Sequence, residues 1–84
     1  DILYIEAAGN YTKVITINET IIVREKFSDL LATLINNDFL QVHKSFAVAK
    51  KHIKNIEGNK MSVEKHIIPI AKSYKSKIVA LLKL

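Results

Sequence analysis

Lys13-Val14-Ile15-Thr16-Ile17-Asn18-Glu19-Thr20-Ile21-Ile22-Val23, with the residues that follow it, decides the fold class. On either side of Asn18-Glu19 almost every residue is β-branched, and such side chains fit a pleated surface better than a helix. The segment therefore predicts two antiparallel strands joined by a hairpin at Asn18-Glu19. The period then changes. Phe27, Leu30, Leu31, Leu34 and Ile35 recur at i, i+3, i+4, i+7 and i+8, which is one face of a helix. Asp29 falls in its first turns, where the helix dipole favours a carboxylate, and Asn36-Asn37 supply a stop.

Working outward, Ile2 to Glu6 reads as a strand, broken by Ala8-Gly9-Asn10, residues that tolerate unusual backbone angles. Phe39 to Val42, Phe46 to Val48, Ile53 to Ile56 and Met61 to Val63 are strand-like, with Gly58-Asn59 turning the last two into a hairpin. Ile67-Ile68-Pro69-Ile70 reads as an edge strand, because Pro69 lacks the N–H that a central ladder needs. Tyr74, Ile78, Leu81 and Leu82 return to helical spacing, with Ser73 as N-cap. The expected fold is mostly β: small antiparallel sheets with one or two short helices.

The chain has 84 residues, too few for two cores, so residues 1–84 read as a single domain. It begins at Asp1, inside an apolar run, and reads as a piece of a longer protein. Hydrophobic residues make up 49%, which excludes a disordered polar tail. There is no Cys, which removes disulfides and thiolate metal sites and suits a reducing, cytoplasmic location. No apolar run reaches the roughly 20 residues of a membrane span.

Net charge is +5, but it is unevenly placed. Residues 1–42 carry three basic against six acidic side chains, whereas residues 43–84 carry ten lysines against Glu57 and Glu64 alone. A basic half-chain points to a polyanionic partner or to a solvated lysine surface. His43, His52 and His66 match no metal-ligand spacing, and no phosphate loop, nucleophile elbow or tuned carboxylate pair is present. Neither an enzyme nor a cofactor is expected. His43 is read as a histidine whose hydrogen bonds fix a turn. Tyr11, Phe27, Phe39, Phe46 and Tyr74 follow apolar spacing and are read mainly as core rather than as a base-stacking platform.

Four ordered blocks carry a resemblance. Ile5-Glu6-Ala7 with Gly9-Asn10-Tyr11, Ile22-Val23-Arg24-Glu25, Phe39-Leu40-Gln41-Val42-His43-Lys44-Ser45-Phe46 and Ile68-Pro69-Ile70-Ala71-Lys72-Ser73-Tyr74-Lys75 are similar, in order and spacing, to the LytTR DNA-binding domain. The resemblance spans nearly the whole chain, and Val42-His43-Lys44-Ser45-Phe46 is its most specific piece. It implies an elongated arrangement of small sheets that reads double-stranded DNA with loops. It also implies the output half of a two-component response regulator that controls transcription, with a receiver domain N-terminal to it.

The resemblance implies DNA contacts residue by residue. Lys44, after the motif histidine, and Lys72, where the family usually carries Arg, are implied base contacts. Lys is a flexible point charge without the bidentate fork of Arg, so readout at Lys72 differs from the family pattern. The loop from Gly9 to Lys13 leaves Asn10 and Thr12 as base readers, although Asn10 could equally serve the turn with Gly9. Lys13, Ser45, Lys50, Lys51 and Lys75 are the expected phosphate contacts, with Lys50 and Lys51 open to a purely solvated reading. Roughly five neutralised phosphates would give a log-log salt slope of about −4 to −5. Paired direct repeats, and a dimer formed on DNA, follow from family analogy. The rival reading is a basic interaction module for an acidic protein or an anionic membrane surface.

Overall fold

A computed structural model describes residues 1–34 and 38–82. The stop at Asn36-Asn37 and the contribution of Ile35 to the helix face lie outside the described residues. The β-branched segment forms a hairpin of β2 (Tyr11–Thr16) and β3 (Thr20–Val23), with Val14 opposite Ile21 and Ile15 opposite Thr20. Its loop is longer than the expected Asn18-Glu19 pair. Ile17 leaves the strand and is 59% exposed, because the Thr16 hydroxyl accepts the Asn18 and Glu19 N–H groups and closes a local turn. Such side-chain bonds compete directly with the ladder.

Strand β1 (Ile2–Ala8) pairs with β2 on one side and with β5 (Phe46–Ala49) on the other, and β4 (Phe39–His43) follows β5. The five-stranded sheet thus runs β3-β2-β1-β5-β4. A single 3₁₀ turn at Lys50–His52 leads to β6 (Ile53–Glu57), β7 (Lys60–Val63) and β8 (His66–Pro69), a separate three-stranded antiparallel sheet. Pro69 does sit in an edge strand, opposite Lys60. Gly9 and Gly58 each open a two-residue turn with positive φ, +66° and +62°, conformations that cost glycine nothing.

Helix α1 (Phe27–Leu34) buries Phe27 and Leu31 against Ile5, Val14 and Ala47 on one face of the larger sheet. The opposite face packs on the smaller sheet and on α2 (Lys72–Leu82) through Leu40, Val42, Val48, Met61, Ile68 and Ile78. Fully burying each side chain of this size stabilises by about 1.5–3 kcal/mol, so this second cluster holds the two sheets together. Two details of α2 differ from expectation. The helix starts at Lys72, so Ser73 lies inside its first turn rather than capping it, and Leu81 is 49% exposed. The molecule measures 34 × 25 × 21 Å with a radius of gyration of 11.9 Å, close to that of a compact domain of this length.

At the end of the sheet where β1 begins, His52 lies between two carboxylates, with Nδ1 2.7 Å from Glu64 and Nε2 3.1 Å from Asp1. The His52 bond, opposed by partial desolvation and aided by Lys54, holds the Glu64 carboxyl below its ordinary value. A depressed carboxyl stabilises above its unfolded value, and that contribution is lost as pH falls through the folded one. We expect Glu64→Gln to flatten the acid limb of the Tm profile below about pH 4.5, measured by thermal melts.

Candidate nucleic-acid interface

Two inter-element hydrogen bonds gather three connections on one edge. Ala7 N–H donates to Ser45 C=O at 2.9 Å, which sets the β1–β2 turn beside the β4–β5 turn. Ala71 N–H donates to Val42 C=O at 2.9 Å, which sets the start of α2 beside the end of β4. Asn10, Lys44 and Lys72 are thereby exposed along this edge, with Ser45 half-buried among them. The residues come from positions up to 62 apart in the chain, and long-range pairing alone assembles them.

His43 shapes the middle turn. Its Nδ1 accepts the Ser45 N–H at 3.1 Å, and its ring meets that of Phe46 edge-on at 5.5 Å. A ladder irregularity between Gln41 and His43 accompanies this turn. The turn-fixing role expected of His43 is therefore what the structure contains, and it presents Lys44 at the tip.

Four of the expected contacts change. Thr12 is fully buried and its hydroxyl donates to the Glu25 carbonyl at 2.6 Å, so it has no surface to offer a base. The expected loop from Gly9 to Lys13 is a turn of Gly9-Asn10 only, and from Tyr11 onward the chain is already in β2. Lys75 donates to Gly58 C=O at 2.5 Å, with Asn59 Oδ1 at 3.4 Å, so its ammonium ties α2 to the β6–β7 turn. Lys50 and Lys51 follow β5, about 13 Å of strand away from Ser45. There the Lys50 backbone N–H bonds to Asp38 and the Lys51 ammonium pairs with Asp1 at 3.3 Å, which places both lysines at the far end of β5 from the turn edge.

Lys13 is exposed within β2, opposite Glu6 and one position beyond Thr12. Arg24 is a cation that the motif reading passed over. It continues β3 beyond the Thr12–Val23 pair, beside Tyr11, and is exposed, as Tyr11 is at 44%. The buried Thr12–Glu25 bond holds this segment in place. Its sequence signals were its place in the Ile22-Val23-Arg24-Glu25 block and the hairpin register, which the misjudged loop length obscured. Phe27, Phe39, Phe46 and Tyr74 are buried or half-buried, so Tyr11 alone of the five aromatics departs from the core reading.

Thr12→Val tests the division between support and contact. It removes the bond to the carbonyl of Glu25, an exposed residue, and a loss of about 0.5–1.5 kcal/mol in urea melts is expected, with the preferred DNA sequence unchanged.

Over residues 1–83 the chain matches the family model of the LytTr DNA-binding domain, and it belongs to that family. Among solved structures it resembles the LytTr DNA-binding domain of a response regulator from Bacillus cereus, at 26% identity and a TM-score of 0.88. That similarity covers 99% of this chain and 82% of the other. No curated protein matches it. Among the described residues no helix is long and apolar enough to cross a membrane.

Proposed function

We propose that this domain is a sequence-specific double-stranded DNA reader, the output half of a response regulator whose receiver domain precedes it and which controls transcription. It acts by binding and not by catalysis. The observation that carries the reading is the convergence of the β1–β2 turn, the β4–β5 turn and the start of α2 on one exposed, cationic edge. Lys44 and Lys72 reach base edges, and Asn10 is placed to pair with adenine. Lys13, Arg24 and Ser45 position the edge on phosphates. With Lys50 and Lys51 at the far end of β5 and Lys75 tied to the β6–β7 turn, Lys13 and Arg24 are the cations left for phosphates, and the expected salt slope eases to about −2.

Selection from a randomised duplex pool at physiological salt, run with wild type and Lys72→Ala, tests this. Wild type should enrich two short repeats about one helical turn apart, and the variant should blur one base position. Salt-sensitive binding with no enrichment would leave a general polyanion binder. Tighter binding to anionic vesicles than to duplex would favour the interaction-module reading instead.

A further inference from the structure

β4 is an outer strand of the larger sheet. Lys50 N–H bonds to Asp38 C=O at 2.6 Å, and the same register pairs Phe39 with Ala49, Leu40 with Val48 and Gln41 with Ala47. Hydrogen-bonded and non-bonded pairs alternate in an antiparallel ladder. Leu40 therefore bonds to β5, whereas the N–H and C=O groups of Phe39 and Gln41 point outward along the free edge. Outer strands are templates for an added strand unless something guards them. Among the described residues α1 and α2 flank the edge without closing over it, and a cleft of about 540 Å³ lies between them.

The lining has two chemistries. Phe27, Leu31, Phe39 and Leu81 form apolar walls, and Lys44, Lys50 and Lys77 stand around them with no Asp or Glu in the lining. A free row of backbone groups calls for an extended occupant. The three ammonium groups, unopposed among the described residues, call for carboxylates, and the apolar walls for aliphatic side chains that alternate with them.

We propose that this cleft binds an extended acidic segment of a partner protein, added as a strand to β4. Backbone bonds to Phe39 and Gln41 supply affinity, and alternation of carboxylate and aliphatic side chains supplies selectivity. Lys44 belongs both to the cleft and to the DNA edge, so the occupant and duplex DNA compete. That competition, though not the binding, rests on the DNA reading above.

The probe is a capped synthetic peptide of about six residues alternating glutamate and valine. It is titrated into the domain by amide NMR and fluorescence anisotropy. Saturable binding with shifts at Phe39, Gln41 and Leu31 is expected. Methylation of alternate peptide nitrogens, or Lys77→Glu in the protein, should each weaken binding about tenfold or more. Hexaglutamate binding as tightly as the probe, or insensitivity to N-methylation, would reduce the cleft to a cationic patch and overturn the proposal. No binding would overturn it as well. Peptide binding that leaves duplex affinity intact would uphold the cleft and count instead against Lys44 as a DNA contact.

Discussion

Lys44→Ala should weaken binding to the preferred duplex by about 5- to 150-fold, the 1–3 kcal/mol expected when a base-reading side chain is removed. The size of the effect comes from how firmly Lys44 is presented. Ser45 N–H is held by His43 Nδ1 and Ser45 C=O by Ala7 N–H, so the turn carrying Lys44 is fixed before DNA arrives. Little ordering cost is then left for binding, and most of the contact energy appears as affinity. Because Lys44 is exposed, truncation should leave folding stability within about 0.5 kcal/mol of wild type. Anisotropy titrations against the preferred and a scrambled duplex, repeated over a salt series, give the answer. A loss confined to the preferred sequence identifies base readout. An equal loss on both, with the salt slope reduced by about 1, identifies a phosphate contact.

The largest effect on stability is expected from Ile78→Ala, at about 2–5 kcal/mol. Ile78 is the one fully buried side chain of α2 among the described residues, and it sits in the cluster with Leu40, Val42, Met61, Val63 and Ile68. Removing it leaves a cavity where both sheets and the helix meet. The remaining ties of α2 are weaker: Tyr74 and Leu82 pack only partly buried against the same cluster, and the Ala71–Val42 bond and the Lys75 contacts with the β6–β7 turn are polar. Stability of a domain this size is about 5–15 kcal/mol, so the variant should melt far below wild type and lose the position of Lys72 with it. Leu81→Ala on the same helix, 49% exposed, should cost less than about 1 kcal/mol. Similar melting losses for the two variants would mean that α2 is not anchored through Ile78.

Much of the candidate site was visible before the fold was known, and the exceptions share a cause. Lys44 and Lys72 stand in local motifs whose turn chemistry is written in adjacent residues, and both emerge exposed on one edge. Thr12 failed because the loop that held it was judged too long. Once Gly9-Asn10 makes a two-residue turn, strand alternation sends Thr12 inward and Lys13 outward. Lys51 and Lys75 are drawn away from the edge because a lysine's partners are set by distant residues, Asp1 for Lys51 and the β6–β7 turn for Lys75, while Lys50 stands at the far end of β5. Arg24 was missed for the converse reason, since its neighbour Tyr11 lies across a hairpin.

Residue type and spacing were enough to specify most of the strands, the α1 face from Phe27 to Leu34, the Gly58-Asn59 turn and the edge position of Pro69. Each of these depends on backbone preference and burial over a few neighbouring residues, and those act locally. The insertion of β5 beside β1, the division into two sheets and the gathering of three connections on one edge are not local. They follow from which apolar faces cover one another once Val48, Met61, Ile68 and Ile78 are buried together, and from backbone bonds such as Ala7–Ser45 and Ala71–Val42 that close only in the assembled chain. The motifs therefore say which family the chain belongs to, while contacts between segments far apart in sequence decide which of its lysines stand on the turn edge and which brace the fold.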